Sequence, residues 1–204
     1  RFEAPLARGQ KTGWFYDHRL NRARLAPYVK GKRVLDVFCY LGAWGITAAA
    51  AGANEVVCVD SSSTALEGVA RNAALNNVGA NLSTREGDAF EILKALREAR
   101  ERFDVVVLDP PALIKRRKDI KQGTLAYQRL NQMAMQVLAK DGLLVSCSCS
   151  YHLARDTLQE TLINVIGGYV VQTFLGSYGP MSFPVGACAT AGLSLTEAVD
   201  KIRT

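Results

Sequence analysis

Short continuous apolar runs alternate along this chain with longer stretches whose apolar residues recur at helical spacing. The runs fall at Arg33–Val37, Glu55–Val59, Leu82–Arg85, Phe103–Leu108 and Leu143–Ser150, and their length and β-branched content predict strands. Helices are predicted over 17–30, 47–53, 64–77, 89–102, 124–138 and 152–161. The order β-α-β-α-β-α-β-α-β, with no internal repeat, implies an α/β fold: a doubly wound, mostly parallel sheet with helices on both faces. Val105–Leu108 is apolar throughout, as a strand buried on both faces must be.

The chemistry-bearing residues follow the strand ends. The first strand runs into Asp36-Val37-Phe38-Cys39-Tyr40-Leu41-Gly42-Ala43-Trp44-Gly45, which reads as strand, tight glycine-bearing turn and helix. The dinucleotide spacing Gly-x-Gly-x-x-Gly is absent. An aspartate here would repel a pyrophosphate, yet it can accept a hydrogen bond from an ammonium group such as that of S-adenosylmethionine (SAM). The turn residues Phe38, Tyr40 and Gly42 then belong to the cofactor loop, unless the segment is an ordinary strand-to-helix turn.

Asp60 and Ser61 close the second strand, where an acid can accept from both ribose hydroxyls of an adenosine. The serines that follow suit a helix cap. Asp88 and Ala89 follow the third strand, and Asp88 can serve as an adenine acceptor or as a helix N-cap. Asp109 closes the fourth strand. Pro110 and Pro111 fix the chain's exit there, at the sheet edge where open α/β sheets bind ligands.

Composition narrows the class further. With 204 residues and 49% hydrophobic content, the chain suits one large domain. It begins at Arg1 with no initiating Met and reads as a piece of something longer, without signal peptide or membrane span. Five cysteines, an odd number with some inside predicted strands, suit a reducing, cytoplasmic setting rather than a disulfide framework. Two histidines and no Cys-x-x-Cys pair give no signature of a structural metal site. His18 reads as a surface or capping residue.

A net charge of +6 is compatible with a polyanionic partner. Lys115, Arg116, Arg117, Lys118 and Lys121 crowd into 112–123, expected as either a solvated loop or a basic flap over nucleic acid. No charge occurs from Thr161 to Thr196, and this tract is expected to be buried sheet or loop.

Asp36, Asp60, Asp88 and Asp109 after four successive strands resemble the pattern of class I SAM-dependent methyltransferases, which have a Rossmann-like fold. Gln10–Arg22, Asp36–Gly45, Asp109-Pro110-Pro111 and Ser146-Cys147-Ser148-Cys149-Ser150 together resemble the bacterial 23S rRNA cytosine-5 methyltransferase I family over residues 9–160. Members usually begin with a small RNA-binding domain, for which these residues show no counterpart, and their C-terminal strands are not recognisable after Leu162. The resemblance implies a lead-in over 1–30 and a catalytic domain over 31–204. It also implies SAM as cofactor, large-subunit rRNA as partner, and no metal or membrane.

The residues fit that chemistry. Carbon 5 of cytosine is a poor nucleophile until a thiolate adds at carbon 6. Cys149 and Cys147 are both candidates; alternation puts them on one face of the strand, and Cys149 is favoured as nearer its carboxyl end. Asp109 can support charge developing at ring N3. Pro110, Pro111, Lys115, Arg116 and Arg117 are the expected substrate contacts. The rivals are an exocyclic amine methyltransferase, though Ala112 stands where such enzymes carry a stacking aromatic, and a SAM- or RNA-binding module without catalysis.

Overall fold

The computed structural model of the chain describes residues 1–5, 13, 14, 16 and 18–173. Five strands, β1 (Arg33–Val37), β2 (Glu55–Asp60), β3 (Leu82–Glu86), β4 (Phe103–Leu108) and β5 (Leu138–Ser146), form one sheet in the order β3-β2-β1-β4-β5. Every pairing is parallel. Strand direction and the right-handed crossover rule leave little choice of topology once the apolar runs are set. The order reverses between β1 and β4, so a crevice opens there at the carboxyl edge.

Alternation along the strands builds two cores. Val34, Val56, Val105 and Val145 face α1 (Arg19–Leu25), α2 (Ala43–Ala50) and α3 (Ser63–Leu75), through Leu25, Trp44, Ile46 and Val69. Leu35, Val57 and Val106 face α4 (Ala89–Glu98) and α5 (Ile120–Val137), through Leu93, Leu96, Leu130 and Ala134. Each such side chain, fully buried, contributes about 1.5–3 kcal/mol. A third cluster of Ile114, Tyr127, Leu153, Leu158 and Leu162 ties α5 to α6 (Arg155–Thr173). Phe2 packs onto the first core, and Glu3 N donates to Asn72 Oδ1 at 2.7 Å.

Several boundaries differ from expectation. The lead-in helix is shorter, α1 giving way at Pro27 to a 3₁₀ turn over Ala26–Tyr28. Gly45 lies within α2, which ends at Ala50. The basic stretch is not a loop throughout: Arg117–Asp119 form a 3₁₀ turn and α5 starts at Ile120. Lys140-Asp141-Gly142 is not a turn preceding the last strand. It is a bulge within β5, where Phe103 pairs with Leu138 and Val105 with Leu143, and Asp141 takes φ 60°.

That strand ends at Ser146, so Cys147, Cys149 and Ser150 lie beyond the ladder. The helix expected over 152–161 runs to Thr173, so the charge-free tract begins as helix, not as sheet or loop. Its remainder lies outside the described residues. So do Gln10, Lys11, Thr12, Phe15 and Asp17 of the lead-in motif.

Candidate active site

The β1–α2 turn is held against its own backbone preference. Phe38 and Tyr40 adopt φ 65° and 49°, a left-handed conformation costly for residues with a Cβ. What holds them is the neighbouring strand: Cys39 N donates to Val59 O at 3.0 Å and Tyr40 N to Asp60 Oδ2 at 2.9 Å. Gly42, at φ 78°, ends the turn and begins α2. Gly45 answers a demand for space: a Cβ there would lie 2.5 Å from Cys58 Sγ. That close approach lets Gly45 N donate to Asp36 Oδ2 at 2.8 Å.

Asp36 is wholly buried, and its other oxygen, Oδ1, has no hydrogen-bond partner among the described residues. Burial raises its carboxyl to about 7, against the Gly45 bond, with Asp109 and Asp60 adding to the rise. A buried acceptor without a donor is costly and suits a cationic donor from outside the chain. An arriving ammonium group would draw the proton off. This is the feature by which the residues fit the amino acid end of SAM.

Asp60 accepts from Tyr40 N and, through Oδ1, from Ser62 N at 3.0 Å. Ser61 beside it is exposed, and Ser62 caps α3. Asp88 is the N-cap of α4, its Oδ1 accepting from Phe90 N at 2.9 Å and Glu91 N at 3.3 Å, with Ala89 buried behind it. The capping role is thus present, and the exposed carboxylate keeps acceptor capacity for a ligand.

Asp109, at the end of β4, has partners that the sequence did not suggest. Trp44 Nε1 donates to its Oδ2 at 3.0 Å, and His18 Nε2 lies 3.6 Å from its Oδ1. His18 does occupy the N-cap position of α1, its carbonyl accepting from Arg22 N at 2.9 Å, but its side chain makes no capping bond and turns to Asp109 instead. Its ring stands 5.5 Å from that of Trp44, and its Nδ1 meets Asn21 Nδ2 at 3.3 Å. Nothing in the local sequence pattern marks it, because the contact joins the lead-in to the fourth strand.

His18, Asp109 and Cys147 bring donor atoms within 4.8 Å of one another, a grouping the histidine count gave no reason to expect. Cys147 is a poor ligand or nucleophile as it stands. Burial, with Asp109 and Asp36 nearby, holds its thiol well above the ordinary range.

The two candidate cysteines do not share an environment, because alternation loses its hold where β5 ends. Cys147 is 7% exposed and packs with the first core. Cys149 is only half-buried, and its Sγ contacts Pro110 O at 3.7 Å. The free thiols of Cys39 and Cys58 are buried in the first core. The bond between them, with burial, raises the Cys39 thiol; the same bond lowers that of Cys58, where burial and the nearby Asp36 carboxyl still leave it raised.

Lys115, Arg116, Arg117 and Lys118 are exposed, Arg116 pairing with Asp119 at 2.9 Å. Pro110 is buried and Pro111 exposed. Tyr151, two residues past Cys149, is 89% exposed. Among the described residues, no helix is long and apolar enough to cross a membrane.

Known proteins resemble this arrangement at two levels. Among solved structures, SMU.776 in complex with SAH superposes with a TM-score of 0.74 at 22% identity, over 94% of this chain and 50% of that one. A SAM-dependent methyltransferase from Agrobacterium tumefaciens gives 0.63 at 20% identity, over 76% and 51%. These likenesses establish the fold.

In sequence, a ribosomal RNA large subunit methyltransferase of Deinococcus radiodurans is 39% identical over 167 residues, 81% of this chain and 41% of the relative. The ribosomal RNA large subunit methyltransferase I of Shewanella frigidimarina is 39% identical over 158 residues, 77% and 40%. That of Shewanella amazonensis is 34% identical over 200 residues, 97% and 50%. The chain spans about 40% of the length of the first two. The family model described as S-adenosylmethionine-dependent methyltransferase matches residues 1–189, so the chain belongs to that family and its cofactor is SAM.

Proposed function

We propose that this chain methylates carbon 5 of a cytosine in large-subunit ribosomal RNA, with Cys149 as nucleophile. The carrying observation is the pairing of a half-buried cysteine with the end of β4: Cys149 Sγ is 3.7 Å from the carbonyl of Pro110, the residue next to Asp109. A thiol and a carboxyl thus follow adjacent strands at the same edge of the sheet. The names of the relatives, which are large-subunit rRNA methyltransferases, support the substrate class.

When bound, SAM supplies a methyl group on a positively charged sulfur, the electrophile this reaction requires. Asp36 would accept from its ammonium group. The loop of Phe38, Tyr40 and Gly42 would pass beneath it, Asp60 and Ser61 would take the ribose, and Asp88 and Ala89 would meet the adenine. Asp109 borders both the cofactor and the base.

Cys149 must lose its proton to add to cytosine carbon 6, which makes carbon 5 nucleophilic. Asp109, held in orientation by Trp44 and His18, supports the charge developing at N3. Once carbon 5 carries the methyl group, loss of its proton to a water or a side-chain base would expel the thiolate. Pro110 and Pro111 would border the base, while Lys115, Arg116 and Arg117 would meet phosphates. The exposed ring of Tyr151, edge-on to His152 at 5.3 Å, would offer a face to a neighbouring base.

The test uses large-subunit rRNA fragments with 5-fluorocytosine at the target. Fluorine cannot leave as the proton does, so the wild-type chain with SAM should form a covalent RNA adduct, read as a shifted band on a denaturing gel. Cys149→Ala should abolish the adduct and Cys147→Ala should retain it. An adduct lost only in Cys147→Ala would transfer the nucleophile's role. Methylation without any adduct would favour attack by an exocyclic amine.

A further inference from the structure

Cys149 lies beyond the last rung of the sheet, yet the turn that carries it is tightly bonded. The last backbone bond to β4 is Cys147 N to Leu108 O at 2.8 Å. Past that point a single side chain takes over. Tyr127, fully buried on α5, has its hydroxyl 2.9 Å from Ser148 Oγ and 2.9 Å from Ser150 Oγ. These two serines bracket Cys149.

Burial holds the Tyr127 phenol above its ordinary range, while its bonds with Ser148 and Ser150 act the other way, so it stays neutral. Ser148 Oγ donates to the phenol oxygen, and between the phenol and Ser150 Oγ either hydroxyl can be the donor. Ser148 Oγ accepts from Ser150 N at 3.2 Å, and Ser150 Oγ accepts from Ile114 N at 3.0 Å. Beyond Ser146 no ladder sets which way these side chains face, so the bonds to Tyr127 do. With both serines drawn inward onto Tyr127, Cys149 is turned out toward Pro110. Tyr127 itself is backed by Asn131 Nδ2, which donates to its carbonyl at 2.8 Å.

We propose that Tyr127 is a positioning residue for the nucleophile: its hydroxyl clamps Ser148 and Ser150 so that Cys149 faces the base held at the end of β4. Through Ser150 and Ile114, the same clamp fixes the start of the basic stretch at Lys115 relative to the thiol. This inference rests on the function proposed above. Reacting atoms displaced by about 1 Å lose about 100-fold in rate, so the clamp should act on the chemical step rather than on binding.

Tyr127→Phe keeps the ring and its packing but removes the hydroxyl. Calorimetry should give SAM affinity within about twofold of wild type, and KM for RNA should likewise hold. Both kcat and the rate of adduct formation with 5-fluorocytosine RNA should fall together by about 10–100-fold. Ser148→Ala should do the same, and the double variant should be no slower than the slower single, because both remove one interaction.

Wild-type kcat in Tyr127→Phe, or a rise in KM at unchanged kcat, would overturn the clamp while leaving the cysteine mechanism intact. If Tyr127→Phe does not fold, Ser148→Ala decides by the same criterion. A wild-type chain that forms no adduct would instead overturn the proposed function itself.

Discussion

The two ends of the central strands treat acidic residues in opposite ways. At the amino edge, Arg33 gathers them in: its Nε donates to Glu55 at 2.7 Å, one terminal nitrogen reaches Glu101 at 2.9 Å, and its backbone N donates to Asp104 at 2.8 Å. Charge there is met by charge within the chain. At the carboxyl edge, Asp36, Asp60 and Asp109 accept from backbone N–H groups and an indole, and one oxygen of Asp36 has no partner among the described residues. Such acids keep capacity for a ligand. A carboxylate thus signals stability at one end of a strand and recognition at the other; its partners, not its identity, tell which.

The comparison is most sharply tested by titration, because the two edges should respond to pH in opposite senses. Asp36 is held at about 7 in the fold, against an ordinary value of 3.8. Between those limits the unfolded chain has lost the proton and the fold retains it, so stability falls as pH rises. In urea unfolding of the ligand-free chain, the gap between wild type and Asp36→Asn should shift by about 2–4 kcal/mol from pH 5 to pH 8, in favour of the variant. Parallel profiles would mean that Asp36 is already charged in the fold.

A smaller effect is expected at Asp60. Asp60→Ala removes the acceptor of the Tyr40 N–H together with the proposed ribose acceptor, and should weaken SAM binding by about 1–3 kcal/mol. Unchanged affinity in calorimetry would remove Asp60 from the cofactor site.

The smallest effect belongs to the amino edge. The Arg33 bonds hold the Glu55 carboxyl below its ordinary range, so its contribution is present at neutral pH and lost on acidification. Both side chains are well exposed, and Glu55→Gln should cost only about 0.2–1 kcal/mol at pH 7 with SAM affinity unchanged. An effect on cofactor binding there would break the distinction between the edges.

The sheet was readable in the sequence because a strand buried on both faces needs an unbroken apolar run, as in Val56–Val59 and Val105–Leu108. The acids at their ends were readable for the same reason, since each interrupts a run at a defined register. Boundaries failed where local pattern and tertiary pairing disagree. Lys140-Asp141-Gly142 has turn composition, yet pairing with β4 absorbs it as a bulge. The Cys147/Cys149 alternation assumed a strand that stops at Ser146. The contacts of His18, Trp44 and Tyr127 were not legible because each meets its partner across a large sequence separation, and no periodicity encodes such a contact.

The reversal of strand order between β1 and β4 also bears on the path by which the chain folds. β1, β2 and β3 are joined by successive local crossovers, whereas Val34 must find Val105 across two intervening strand-helix units. Loop-closure entropy makes such a distant pairing late, and a sheet dependent on it slow to form. The crevice lies at that junction, so its two walls meet only when the last long-range rung closes. A ligand that needs both walls therefore binds only the completed sheet, and by mass action its binding draws the folding equilibrium toward that state.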